Sequence, residues 1–594
     1  MRVQLPSLLQ TASGDTAMHH QSSSGASDSS ANRALPNDAH ALHQLGLAYF
    51  REGALDHACK QLDLALNVAP ERPDIWEHRG LLAALRGERI AAEAFYYRAL
   101  NIGGGSASLH RNLADCLKLS GRLDEARRHY LNALGFEPTL HHAVRALAQI
   151  CAEQGQHADA ADFWQRAWAL DSSNIADAFM LTAALSKAGR DAELDAMWPT
   201  LRARCAEDAD ALQQLAFALN SAQRFAEAVS VARQGIALDP YHASLHHNAS
   251  FALNMLGEFE QMHRHATEAA RLMPGNALMQ FNLAAAQLRA GDFGRGWKQY
   301  RWHDALPENH DLVRPAYPEW QGERVFGCRF LLVGEQGLGD QIQFLRMADW
   351  LHQRGALVDV WVEEPLADVA RHAAGVHAAW TTVPPGPYDY WCRMLRMPAH
   401  MNLELSMLPL ATAYLQAEPS RLQRWGNRLA ALAAQPVPRP FRKRVGIVWA
   451  GNPAYGLDRY RSIPLRQWRP LFEQPGVRWF SLQKGDAQHD AAASSDGIEM
   501  HLLGPEIHDF TDTLAIIQSL DLVITVDTAV AHLAGACGTP VWVLVPTFTD
   551  WRWMVARDDS PWYPSMRLFR QRELNQWDAV LADVARALGE YVEE

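Results

Sequence analysis

Three segments carry the side chains that acid–base and phosphate chemistry require. In the first, Gly337 and Gly339 let a ligand approach the backbone closely, and Asp340 and Gln343 follow at the start of an amphipathic stretch. Asp340 has two readings. Asp is a favoured cap where a helix begins, and a carboxylate there can also take the proton of an acceptor hydroxyl. The second segment runs from Asp458 to Pro464 and resumes at Ser481 to Gly485. Arg461, Ser462 and Lys484 offer it two cations and a hydroxyl; Arg binds phosphate bidentately, although a solvated turn is the other reading. The third, Val526 to Pro540, sets Asp527 and Thr528 at a strand-to-helix junction, with His532 four residues after Thr528 on the same face. The free N–H groups and dipole of that helix start suit a diphosphate. A capped helix with a buried, hydrogen-bonded His is the alternative.

Strands and helices must hold these segments in place. Arg329–Gly334 reads as a strand, followed by a glycine loop, a helix over Gln341–Gln353 and a strand over Ala356–Val362. The same grammar restarts with strands at Val445–Ala450, Val477–Leu482, Leu522–Val526 and Val541–Val545, and a closing helix over Asn575–Val592. Alternation of this kind predicts doubly wound α/β domains. The expected division is a connection over 306–324, one α/β half over 325–420, a linker over 421–443 and a second half over 444–594. Arg442, Lys443 and Arg444 read as part of the solvated linker. Ligands of such domains bind beyond the carboxyl ends of the strands. No GxGxxG is followed by an acidic residue at the spacing a dinucleotide fold needs.

Upstream lies a repeat. Gly53, Gly87, Gly121, Gly155, Gly189, Gly257 and Gly291 share one 34-residue register, broken only at Gln223. Each marks a turn between two helices, where left-handed backbone is wanted. Gly46, Gly80, Ala114, Ala148, Ala216 and Ala284 form a second register, where small residues allow close helix approach. Ala58, Ala92, Ala126, Ala160 and Ala228 form a third, and Pro70, Pro138, Pro240 and Pro274 a fourth. About eight repeats span 37–305, the fifth and eighth being degenerate. Such units cannot bury an apolar face alone, so they stack into a superhelix with a concave groove.

The formal net charge of −12, with both signs mixed and no basic stripe, excludes an electrostatic nucleic-acid binder. Seven scattered cysteines without a CxxC point to reduced thiols and a cytoplasmic protein, and away from a disulfide framework or zinc site. No apolar run reaches transmembrane length, and no signal peptide is expected. Residues 1–36, rich in Ser, Ala, His and Gly, read as a disordered leader.

The four registers resemble the tetratricopeptide repeat. The three chemical segments, in order over about 310–590, resemble the heptosyltransferase type of bacterial glycosyltransferase (family 9): a glycine–Asp loop, a basic segment before Pro464, and Asp527-Thr528 with His532-Leu533-Ala534, then Gly538-Thr539-Pro540 and Pro546-Thr547. That resemblance implies the GT-B fold, two Rossmann-like halves with the donor held mainly by the second. It implies Asp340 as catalytic base, Arg461, Ser462, Lys484, Asp527, Thr528 and His532 on the donor side, and Gly337, Gly339 and Gln343 in the acceptor-side loop. Arg461 stands where many members have Lys. The joining of repeats to such a half is similar to protein O-linked N-acetylglucosaminyltransferases. The implied activity is inverting transfer from a nucleotide sugar to a hydroxyl, without a cofactor. The α/β half has no Asp-x-Asp (the pair Asp208 and Asp210 lies among the repeats), so no metal is expected. The groove would bind a protein or peptide, either the acceptor or a partner. The rival is a repeat scaffold whose α/β half binds a nucleotide or partner without chemistry.

Overall fold

The computed structural model describes residues 38–309, 312–435, 441–493 and 499–593. The expected leader lies outside the described residues. The chain forms two compact units that divide between Ser172 and Ser173.

Among the described residues the first unit holds four helix pairs, from Ala39–Arg51 with Leu55–Val68 to His141–Glu153 with His157–Leu170. Each pair buries its small-residue registers: Ala58, Ala92, Ala114, Ala126, Ala148 and Ala160 are fully covered. An alanine at these points lets two helices approach without a gap.

The second unit begins with four more pairs. The fifth, Ile175–Ala188 with Asp191–Cys205, is a complete pair despite its weak register, and the Thr182 hydroxyl is satisfied by the Phe179 carbonyl at 2.7 Å. The eighth pairs Ala277–Arg289 with a short helix, Phe293–Tyr300, that runs into a 3₁₀ turn over Arg301–Ala305. Asp208 is spent as a helix cap, accepting from the N–H groups of Asp210 and Ala211.

Two parallel sheets follow. The first contains β1 (Arg329–Val333), β2 (Leu357–Trp361), β3 (Val376–Trp380) and β4 (Tyr390–Arg393), in the order β3-β2-β1-β4. The second contains β5 (Phe441–Val448), β6 (Gly476–Ser481), β7 (Met500–Leu502), β8 (Leu522–Val526), β9 (Val541–Val545) and β10 (Met566–Arg570), in the order β10-β9-β8-β5-β6-β7. Both orders reverse at one point, between β1 and β4 and between β5 and β8. Loops leaving the strands on either side of such a reversal part from one another and open a crevice at the carboxyl ends.

The expected linker over 421–443 is corrected. Most of it belongs to a helix, Pro419–Ala433, whose apolar face buries Trp425, Leu429 and Leu432. The Trp425 indole N–H and Arg421 both reach Asp512, at 2.9 and 2.8 Å. Arg442, Lys443 and Arg444 are not a solvated linker either, because β5 starts at Phe441 and pairs with β6 through them. Arg444 donates its backbone N–H to Asp521 at 2.7 Å. The single helix expected over Gln341–Gln353 is two, Leu338–Phe344 and Arg346–His352. The closing helix spans Asp578–Glu593.

One apolar core runs through the last repeat and the sheets, taking in Leu288, Phe293, Trp297, Phe344, Trp551 and Trp562. The turns of repeats six to eight meet the second sheet's loops. Gln223, the break in the glycine register, still has φ +64°, a left-handed conformation that costs a non-glycine residue roughly 1–2 kcal/mol. Its amide explains the exception: oriented with nitrogen toward Tyr460 and oxygen toward Arg459, it makes hydrogen bonds of 2.8 Å to both. Thr547 donates its hydroxyl to the Met255 carbonyl at 2.8 Å beside the next turn.

Candidate functional site

A cavity of about 1190 Å³ opens at the carboxyl ends of both sheets. It exceeds the few hundred to 1,000 Å³ usual for one small ligand. Its walls are the loop after β1, the loops after β5, β6, β8 and β9, and the seventh and eighth repeats through Asn254 and Arg289.

The loop after β1 brings Gly337, Gly339 and Asp340 to the cavity. Asp340 sits in the first turn of Leu338–Phe344, and its Oδ2 accepts the Gly337 N–H at 2.9 Å, so it does cap the helix. Its other oxygen is ion-paired with Arg552. Gly339 is needed for packing: a Cβ there would lie 2.8 Å from the His532 ring. Gln343 does not reach the cavity. It is fully buried, and its Oε1 accepts from Arg552 Nε at 2.7 Å.

The loop after β8 places Asp527 and Thr528 at the start of Ala529–Cys537, and both line the cavity. Thr528 makes no side-chain cap; its hydroxyl meets Thr525 at 3.2 Å instead. The first N–H groups of that helix therefore keep no side-chain partner, and Ala529 and Val530 face the cavity. Burial raises the Asp527 carboxyl, against the attraction of Arg461. His532 is buried: its Nδ1 lies 3.0 Å from the Tyr563 hydroxyl, and its ring stacks on Trp553 at 5.2 Å. Burial, helped by the positive Arg346, lowers it to about 3, so the imidazole is neutral. The alternative expectation, a buried, hydrogen-bonded His, describes these contacts, and His532 also lines the cavity.

Arg461 reaches the cavity, held by Asp458 at 2.9 Å and lying 4.8 Å over the Tyr455 ring. Lys484 also lines it, with two of its three N–H donors given to the Gly504 and Ile507 carbonyls at 2.9 Å. Ser462 stands behind the wall. It donates to Asp458 at 2.8 Å and accepts the Gly451 N–H at 2.9 Å, which fixes the loop after β5.

Sequence patterns did not mark Arg552, Asp550, Asn254 or Arg289. Arg552 Nη1 donates to Asp550 at 2.8 Å, and burial lowers its guanidinium only to about 10, so it stays cationic. Burial and the Asp527 carboxylate raise Asp550 to about 7, against the hydrogen bonds it accepts from Arg552. Arg289 donates to the Thr549 carbonyl at 2.9 Å. The signal for Arg552 was available, since it is a lone cation between Trp551 and Trp553 beside an Asp. Arg289 had none, because residues as unlike as Arg51, Leu85, Glu153, Lys187 and Met255 hold the same repeat position.

Among the described residues, His303, Asp304 and Glu335 have ligand atoms within 4.8 Å of one another, a spacing that could hold a metal. They lie outside the cavity lining. Arg396, 3.9 Å from Asp304, and Arg393 already bring positive charge to them.

Comparison with known proteins bears on the repeats. The family described as Tetratricopeptide repeat matches residues 39–72. Protein FlbA of Caulobacter vibrioides is 29% identical over 387 residues, covering 60% of this chain and 63% of its own length. Human protein O-mannosyl-transferase TMTC1 is 32% identical over 76 residues, covering 13% of this chain and 9% of its own. The chain thus spans less than two thirds of these relatives. Among solved structures, a tetratricopeptide repeat protein from Parabacteroides merdae is 14% identical, with a TM-score of 0.30 over 42% of this chain and 98% of its own. YrrB, described as a TPR protein with an unusual peptide-binding site, is 17% identical, with a TM-score of 0.26 over 37% of this chain and 95% of its own. The chain carries tetratricopeptide repeats, sixteen helices in eight pairs among the described residues, followed by a region of parallel sheets. Among the described residues no helix is long and apolar enough to cross a membrane.

Proposed function

We propose that this protein is a glycosyltransferase of the GT-B type, moving a sugar from a nucleotide sugar to a hydroxyl acceptor with inversion. One observation carries the reading: a single cavity sets a helix start without a side-chain cap, flanked by Arg461 and Lys484, across from a carboxylate on the other half. The diphosphate would lie on the N–H groups at Ala529, where the helix dipole favours negative charge. The acceptor oxygen attacks the anomeric carbon and its proton passes to Asp340. The bond from that carbon to the diphosphate oxygen breaks, and the electron pair leaves with the nucleoside diphosphate. Charge growing on the leaving group is met by the helix start, Arg461 and the remaining Lys484 donor, preorganised groups of the kind that lower such barriers. These cations take the part a metal would otherwise play, so the proposed mechanism uses none.

The repeats would present a protein or peptide acceptor. TMTC1 is named a protein O-mannosyl-transferase, which agrees with transfer to protein, but its 76 matching residues leave the chemistry to the cavity. The free cysteines, six of seven buried, agree with a cytoplasmic site of action. A panel of sugar nucleotides tests the proposal, first by thermal shift and then by turnover. A bound donor at 100 times its dissociation constant stabilises by about 2.7 kcal/mol. A panel that gives neither shift nor turnover would leave a repeat scaffold. Activity abolished by a chelator and restored by a divalent ion would refute the metal-independent mechanism.

A further inference from the structure

Arg552 is almost wholly buried, yet it forms part of the cavity wall. Every edge of its guanidinium is engaged: Nε with Gln343, Nη1 with Asp550, Nη2 with Asp340, and its face on the Trp551 ring at 4.2 Å. One cation therefore serves two carboxylates, and Asp527 adds a third to the same lining. The two partners come from opposite halves. Asp340 follows β1, while Asp550 and Arg552 follow β9, the neighbour of the strand that leads to Thr528. Arg552 thus lines one cavity with both the carboxylate it pairs with and the helix start at Ala529. Of the other cations in the lining, Arg461 is tied to Asp458 and Lys484 to backbone carbonyls within their own half, and Arg289, from the eighth repeat, donates to the Thr549 carbonyl.

A diphosphate on the Ala529 helix start would bring more negative charge than Asp340 carries, in a form that a guanidinium grips with two parallel hydrogen bonds. A carboxylate tied to a guanidinium is also a weak proton acceptor, because the nearby cation favours its charged form. We infer that Arg552 exchanges its ion pair with Asp340 for the donor's diphosphate, so that Asp340 becomes free to accept a proton only when a donor is bound. This rests on the transferase reading. It makes Arg552 a substrate-binding residue and sets an order, donor first and deprotonation second.

The test is calorimetric titration of the full chain with uridine, guanosine, adenosine and thymidine diphosphates. The tightest binder is then taken to the variants Asp340→Asn, Arg552→Gln and the pair combined. Affinity should fall about tenfold or more in Arg552→Gln and rise about threefold or more in Asp340→Asn, where nothing competes for the guanidinium. The rise should vanish when Arg552→Gln is also present. A rise that persists in the double variant is simple relief of charge repulsion and overturns the exchange. So does an Asp340→Asn affinity equal to or below that of the unmodified chain. If Arg552→Gln does not fold, as its melting would show, Arg552→Lys takes its place and should cut both the affinity and the Asp340→Asn gain. If no diphosphate binds the unmodified chain, the transferase reading fails first and takes the exchange with it.

Discussion

Two short helices begin at the cavity, and they begin differently. Leu338–Phe344 is capped by its own Asp340, which takes the Gly337 N–H. Ala529–Cys537 has Thr528 at its start and no side-chain cap at all. A capped helix start has already spent its attraction for anions, whereas an uncapped one facing a cavity keeps it. The contrast assigns the two walls: a carboxylate that can act on a proton at the first, and a seat for negative charge at the second. The helices meet where His532 packs on Gly339.

The largest effect should come from removing the carboxylate. Asp340→Ala is expected to cut transfer by about 10²–10⁴-fold, the usual worth of a general base, while nucleoside diphosphate affinity does not fall. Turnover and calorimetry on one preparation check both halves of that statement, and normal turnover would end the assignment. Next comes the opposite end. Thr528→Asp would give the second helix the cap it lacks, and should raise stability by about 0.5–1 kcal/mol while weakening diphosphate binding roughly tenfold. If binding and stability move together, the contrast between the helix starts is wrong.

The contact between the helices comes third. Gly339→Ala forces a methyl against the His532 ring and should cost about 1–3 kcal/mol, read by chemical denaturation. The smallest effect, counted per pH unit, is a slope. His532 is held neutral down to about pH 3, while an unfolded His takes up its proton near 6.5. Between those values the unfolded chain binds the extra proton, so stability is lost as the pH falls. The loss from this one group is at most about 1.4 kcal/mol per pH unit. His532→Gln should flatten the decline between pH 6.5 and 4; an unchanged slope would mean that the ring accepts a proton in the folded state.

Much of this arrangement could be read along the chain, for identifiable reasons. The 34-residue registers were legible because each repeat solves the same packing problem with the same small residues. Strands β1, β2, β5, β6, β8 and β9 stood out because most are buried on both faces and read as continuous apolar runs. β3 and β7 escaped notice because they are only half-buried, β4 because it is four residues long, and β10 because Arg567 and Arg570 break its apolar pattern. The helix Pro419–Ala433 was lost in a segment read as a linker, since the helix it packs on, Phe510–Ile517, and the Asp512 carboxylate that Trp425 and Arg421 reach lie far along the chain.

Local chemistry and local spacing thus settled the repeats, the α/β alternation, and which loops carry Gly337, Asp340, Arg461, Asp527 and Thr528. Tertiary structure alone decided what those residues face. It set Ser462 and Gln343 behind the wall and tied Lys484 to carbonyls. It brought Arg289 from a repeat, and Asp550 and Arg552 from beyond β9, into the same cavity. The physical reason is range. A turn, a cap or a helix face is fixed by neighbours a few residues away, whereas an ion pair such as Asp340 with Arg552 joins atoms that only the closing of two sheets around one core brings together.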